Sequence, residues 1–231
     1  MKRQIVDRFT QFAGWLKRRQ RITHFPYQPV KVNIGCGLTV APEWVNIDGS
    51  LNALIATWPH WLHDSAYNFS GAHQFFTLEE YKQIIQNNLF FHHDFRYGIP
   101  LPDNSVDFLY SSHFLEHLDK FAGRYLLEEC WRVLKSGGVV RIAVPDLEHA
   151  WRMYQAGDKE RMLHDYFFID GATGFSQHRY LYDFQMLADI FSEIGFTHIV
   201  HEEYQKGAVP DLELLDNRAD YTLFVEAQKL A

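Results

Sequence analysis

The chain has 231 residues, 47% of them hydrophobic, 16% aromatic and 22% charged, which suits one folded domain and excludes disorder over most of its length. No apolar run approaches the roughly 20 residues that span a bilayer, and two cysteines, Cys36 and Cys130, cannot make a disulfide framework, so a reducing, cytoplasmic setting is expected. The net charge of −7 is uneven: residues 1–21 carry seven basic side chains against Asp7 alone, while the remainder has 15 basic and 28 acidic ones, which argues against nucleic acid as a partner of the body.

In chain order, residues 3–19 read as an amphipathic helix, with Ile5, Phe9, Phe12 and Leu16 on one stripe widened by Val6 and Ala13. That stripe is expected to pack on the domain or on a second copy. With Lys17-Arg18-Arg19 beside it, peripheral contact of residues 1–21 with an anionic membrane surface is the other reading. Residues 1–29 form this arm and its linker, and residues 30–231 the main domain. A first strand is expected over Val30–Ile34, ending at Gly35, and a second over Trp44–Ile47, ending at Asp48. Residues 49–88 read as an irregular, aromatic-rich insertion or cap with a short helix near 77–87, either a lid over an acceptor or a satellite core. Strands then follow at 89–93, ending at Asp94, and at 106–110. A helix capped by Asp119 runs to about Lys135 and is stopped by Gly137-Gly138. Val139–Val144 is a nearly continuous apolar strand, helices cover about 146–168 and 183–194, and two strands near 197–203 and 220–227 close the chain. This alternation predicts an α/β fold: a Rossmann-like open, mostly parallel sheet with helices on both faces.

Ligands of such sheets bind beyond the carboxyl ends of the strands, at the switch point. Gly35-Cys36-Gly37 lies there, where a tight turn and close backbone approach need glycine. The third glycine of the dinucleotide fingerprint is replaced by Val40, and six residues between Gly37 and Trp44 are too few for a crossover helix, so a nicotinamide dehydrogenase is disfavoured. Asp48 could accept from two ribose hydroxyls, and Asp94 from an adenine amino group with Phe95 beside the ring.

These segments, with Ile99–Asp107, Ser111-Ser112-His113-Phe114-Leu115-Glu116-His117-Leu118 and Arg132–Gly138, resemble the class I S-adenosylmethionine-dependent methyltransferases over residues 31–147. The resemblance implies S-adenosylmethionine as cofactor. It implies that Gly35 and Gly37, with Cys36 between them, line its methionine part, that Asp48 binds its ribose, and that Asp94 and Phe95 hold its adenine. Ser111, Ser112 and His113 would border the methyl donor and the acceptor. Two departures stand out. Asn33 replaces the usual acid of the first strand, so it could bond the cofactor only as an amide. The first crossover helix is missing, and the insertion is expected to supply that wall.

His113 and His178 are the candidate general bases, and Arg179 and Tyr180 the candidate acceptor-binding residues. The loop Gly171-Ala172-Thr173-Gly174 before His178 is expected to reach over the acceptor site. His113-x-x-Glu116-His117 matches a zinc-protease pattern that requires a helix. Because it begins where a strand ends, no metal is expected. The adjacent His92 and His93 point to opposite faces of a strand and cannot chelate together, and His60 and His63 are read as ordinary histidines. The expected activity is methyl transfer to a hydroxyl or amine of a small-molecule or glycan acceptor, with homo-oligomerisation open. A cofactor-binding module without turnover is the alternative, and a metal-dependent hydrolase the remote one.

Overall fold

The structure, a computed structural model, describes residues 2–168 and 177–230. Ile5 and the 171–174 loop are therefore not placed: the loop lies outside the described residues, and Ile5 is described in backbone only.

Seven strands form one sheet in the order β3-β2-β1-β4-β5-β7-β6. They are β1 (Lys31–Ile34), β2 (Val45–Asp48), β3 (Leu89–His92), β4 (Val106–Ser112), β5 (Leu134–Pro145), β6 (Thr197–Glu202) and β7 (Thr222–Gln228). The first five are parallel to one another, and β7 runs antiparallel to both β5 and β6. The chain reverses direction across the sheet between β1 and β4, so the switch point lies at their carboxyl ends. The sequence places every strand correctly to within a few residues except β5. Gly137 and Gly138 lie inside β5 instead of stopping the preceding helix, which already ends at Val133.

Strand parity assigns the two faces of the sheet. Val32, Ile34, Leu109, Ile142, Val144 and Val225 face one core, closed by α5 (Lys120–Val133) and α8 (Phe184–Ile194) through Leu126, Leu127, Cys130, Leu187 and Phe191. Asp119 caps α5 by accepting from the Phe121 and Ala122 N–H groups, and Gly195 ends α8 in a left-handed turn at φ 110°.

The opposite face carries a row the sequence reading did not anticipate. Register aligns Asn46, Asn33, Tyr110, Arg141 and Glu226 across five neighbouring strands. Residues 203–216, including the short α9 (Leu212–Leu215), fold over this row and bury Val209, Leu212 and Leu215 against Ala41, Trp44 and Tyr110. Arg141, wholly buried, donates to Asp216 and Glu226 and to the carbonyls of Glu203 and Lys206. The β6–β7 connection thus covers the sheet where a crossover helix after β1 is missing. The insertion packs beside it on the turn after β1, with Ala53, Ala56 and Ile84 against Cys36, Leu38 and Val40.

The insertion is also more regular than expected. It holds α2 (Leu51–Ala56), α3 (His63–Ser70) and α4 (Leu78–Asn87), the last opened by a capping box between Thr77 and Glu80. Tyr67, Phe76, Trp58 and Tyr81 fill a satellite core around Ile55, Ala66 and Ile85, while Trp61, Phe69 and Phe75 are exposed. Beyond β5 lie α6 (Leu147–Gln155) and α7 (Lys159–Tyr166).

The N-terminal helix α1 (Lys2–Lys17) packs with the face opposite to the one expected. Thr10 is buried, and a Cβ on Gly14 would lie 2.8 Å from Cβ of Asp94, so the helix backbone rests directly on the end of β3. Phe9, Phe12, Trp15 and Leu16 are left exposed. The apolar stripe misled because a small residue, not a large one, lets the helix approach the sheet end.

Candidate functional site

Several conspicuous polar motif residues hold the scaffold. Asp107 accepts from the Val30 N–H and from Lys135. Arg132 donates to the carbonyls of Ile99 and Leu101 and to Glu129 and Asp103, fastening the 99–103 loop to α5.

At the switch point, β1 runs into Gly35-Cys36-Gly37, with both glycines at positive φ (65° and 53°). A side chain on Gly35 would meet the Phe114 ring at 2.1 Å, whereas a Cβ on Gly37 would enter open space. Asp48, nearly buried at the end of β2, accepts from the Gly37 N–H at 2.9 Å and from the Ser50 N–H at 2.6 Å. The carboxylate therefore clasps the glycine turn from below. Cys36 is buried, and burial with the Asp48 charge nearby pushes its thiol pKa well up, so it supplies no thiolate. Asn33 lies under the turn. Its amide donates to the Thr39 carbonyl and to Asn46, and its own oxygen is buried without a hydrogen-bond partner.

At the end of β3, Asp94 is held by the Arg96 guanidinium, whose shortest contact is 2.6 Å, and it is covered by Gly14. Its oxygens are thus already bonded, and an adenine amino group would have to share them. Phe95 is buried against Phe114 with ring centroids 5.1 Å apart. At the end of β4, the hydroxyls of Ser111 and Ser112 are both buried without a hydrogen-bond partner.

The chain then enters a positive-φ residue, His113, and a 3-10 turn over Leu115–His117. This turn is not the α-helix that the zinc-protease pattern requires. Residues 178–180 dock on it: the N–H groups of Arg179 and Tyr180 both donate to the Glu116 carbonyl, at 2.7 and 3.2 Å. The structure therefore brings His113 and His178 together around one side chain, Glu116, with His117 as a third imidazole. Arg179 is exposed, and Tyr180 packs edge-on against Tyr182. Burial raises the Glu116 pKa, but His113 and then His117 outweigh it and hold the carboxyl below its ordinary range. Burial pulls the His178 pKa down, with Glu116 opposing.

Glu116 was missing from the expected site. The signal was available: a glutamate inside Phe114-Leu115-Glu116-His117-Leu118 sits at a buried position and needs partners, and histidines stand on both sides of it. Arg141 was missed too, although a lone arginine in an apolar strand also demands a buried partner. His92 and His93 bond the carbonyls of Gly49 and Gly98, and His63 that of Trp58, in keeping with structural roles.

Residues 68–142 match the family model described as Methyltransferase domain. No curated protein matches the chain. Among solved structures, the chain is similar to the S-adenosylmethionine-dependent methyltransferase SibL in its apo form, at 15% identity and TM-score 0.51, with 96% of this chain and 56% of that one covered. It is also similar to PigF with SAH, at 14% identity and TM-score 0.50, with 96% and 61% covered. A SAM-dependent methyltransferase from Archaeoglobus fulgidus aligns over 99% of this chain and 95% of its own, at 17% identity and TM-score 0.48. The chain thus spans little more than half the length of SibL and PigF. The strand order with its antiparallel β7 is thus a fold shared with S-adenosylmethionine-dependent methyltransferases, and residues 68–142 match a methyltransferase domain model.

Proposed function

We propose that the chain transfers a methyl group from S-adenosylmethionine to a hydroxyl or amine of a small or medium-sized acceptor such as a sugar, glycan or metabolite. The observation that carries this reading is the Gly35–Gly37 turn. It lies at the switch point, is clasped by Asp48 and opens onto free space at Gly37. At the end of the adjacent β4, Ser111 and Ser112 present hydroxyls on opposite faces that have no partner among the described residues, and either one fits a polar ligand at that strand end.

In this reading Gly35, Cys36 and Gly37 hold the methionine part, Asp48 the ribose, and Asp94 with Phe95 the adenine. The cofactor supplies an electrophilic methyl sulfonium when bound. Aligning the acceptor for in-line displacement is then the protein's main task, and Arg179 and Tyr180 are the residues assigned to contact it in this reading. His178 is suited to take the acceptor's proton. Its Nδ1 donates to the Tyr166 carbonyl at 2.9 Å, which leaves Nε2 as a bare lone pair. His113 shares this role.

Calorimetric titration with S-adenosylmethionine, S-adenosylhomocysteine and NAD tests the cofactor assignment. Binding of the first two with NAD silent is expected, and silence of all three refutes it. Formation of S-adenosylhomocysteine in an acceptor screen then separates an enzyme from a module that only binds.

The exposed Phe9, Phe12, Trp15 and Leu16, on an arm with six more basic than acidic residues, fit an anionic membrane surface. Cosedimentation with anionic but not neutral vesicles is expected, and a Phe12→Asp, Leu16→Asp variant should lose it. Burial of the same face in a solution dimer would overturn this assignment.

A further inference from the structure

Glu116 is completely buried, and among the described residues neither of its carboxylate oxygens has a hydrogen-bond partner. An ionised carboxylate so placed is costly unless something positive meets it. Three imidazoles surround it: His113 Nδ1 lies 3.3 Å from Oε1, and Nε2 of His117 and Nε2 of His178 each lie 4.0 Å from the same oxygen.

The protonation of these rings follows from their other contacts. His117 Nδ1 is 3.1 Å from the Gln177 carbonyl and His178 Nδ1 is 2.9 Å from the Tyr166 carbonyl. A carbonyl only accepts, so both Nδ1 atoms carry the hydrogen. In the neutral rings, both Nε2 atoms are lone pairs aimed at an anionic oxygen. His113 differs from them. Its Nε2 is 3.1 Å from Thr222 Oγ1, whose own hydroxyl donates to the Arg218 carbonyl, and its Nδ1, at 3.3 Å, is the imidazole nitrogen nearest Glu116 Oε1. On the other side of that oxygen the lone pairs of His117 and His178 converge with the carboxylate.

We infer that this cluster is a site for a divalent transition-metal ion of the zinc type, held by Glu116 Oε1, His117 Nε2 and His178 Nε2. The three ligand groups offer atoms within 4.8 Å of one another. Metal–ligand bonds of about 2.1 Å in a tetrahedron put ligand atoms roughly 3.4 Å apart, so the two 4.0 Å separations from Glu116 Oε1 contract by about half an ångström, and the third, within 4.8 Å, closes to the same length. Two imidazoles with one carboxylate suit zinc and its neighbours better than magnesium or calcium. The supporting shell is already built, because the carbonyls that take the Nδ1–H groups fix the tautomer a metal ligand needs. His117 is partly exposed and gives the ion a route of entry. Three protein ligands leave a fourth position for water or for an oxygen or nitrogen of an acceptor. The inference departs from the expectation that no metal is bound. It rests on the methyl-transfer reading only for the acceptor and changes one role in it: with the ion bound, Nε2 of His178 is a ligand and not the base, and the ion would instead lower the pKa of an acceptor hydroxyl beside it. Binding of the ion does not require that reading.

The test is titration of the metal-stripped full chain with cobalt(II), followed by visible absorption, then displacement with zinc(II). One saturable equivalent with the spectrum of a low-coordinate site is expected. His117→Ala and His178→Ala, checked for folding by circular dichroism, should each weaken binding at least ~10-fold, and His60→Ala on the surface should not. Absence of saturable cobalt binding by the folded wild type overturns the site and leaves a His113 imidazolium as the counter-charge of Glu116. Cobalt affinity unchanged in both histidine variants overturns it as well. Calorimetry with S-adenosylhomocysteine on the same preparation separates the two proposals: cofactor binding without cobalt binding defeats the metal site alone, and the reverse defeats the methyl-transfer reading alone.

Discussion

Asp48→Asn tests the clasp and the ribose assignment together. The carboxylate accepts from two backbone N–H groups, Gly37 at 2.9 Å and Ser50 at 2.6 Å. An asparagine keeps one acceptor oxygen and turns the other position into a donor, so it must face one of these N–H groups donor to donor. Loss of one hydrogen bond to a charged group costs about 1.5–3 kcal/mol. That amount should come off the unfolding free energy, read from urea denaturation. If ribose hydroxyls also donate to this carboxylate, a comparable amount is lost from binding. Affinity for S-adenosylhomocysteine should then fall roughly 10- to 150-fold by calorimetry. A folded variant that loses stability but binds within about threefold of wild type, a difference under 1 kcal/mol, would show that Asp48 only braces the turn, and the ribose assignment would fall.

The two turn glycines should respond differently. Gly35→Ala drives a Cβ into the Phe114 ring and should cost several kcal/mol or prevent folding, seen in thermal unfolding. Gly37→Ala meets no atom, so it should cost only about 1–2 kcal/mol of backbone strain while weakening cofactor binding more than stability. Arg141→Leu leaves Asp216 and Glu226 buried without their counter-charge and should cost about 3–5 kcal/mol in urea unfolding, whereas replacing all three by apolar residues should cost less. Stability should fall as the pH drops below about 6.5, the ordinary histidine pKa. Burial lowers the folded-state pKa of His63, His92 and His93, with Lys17 beside His92, Arg21 beside His93 and His60 beside His63 adding to it. The unfolded chain then binds more protons than the folded one across that range. Unfolding free energy that is flat from pH 7 to about 5 would contradict this.

The parts of the molecule that were legible in the sequence are those governed by local rules. The apolar strands, the glycine turn after Ile34, the Asp119 cap and the Gly195 stop each depend on a few adjacent residues. Gly35, Asp48, Asp94 and Ser112 also follow or end the strands foreseen for them, whereas residues 178–180 lie in a loop. What escaped depends on contacts distant in sequence. Arg141 meets Asp216 75 residues away, and nothing near either residue announces the other. The orientation of α1 escaped for a different reason: an apolar stripe predicts the buried face only when burial outweighs backbone approach, and Gly14 on Asp94 reverses that order. Glu116 and the histidines were visible as a motif, but the tautomers that make them a cluster depend on carbonyls of residues 166 and 177.

The cover formed by residues 203–216 also bears on how the chain is made. Asp211 bonds Lys31 and Trp44 across 180 and 167 residues, so the β1–β2 face is sealed by chain synthesised long after it. A local crossover helix would shield such a face early. Here Trp44 and Tyr110 must wait, and contacts this distant slow folding. During translation the nascent chain would therefore present an uncovered aromatic face until residues 203–216 emerge, a natural place for a chaperone to act.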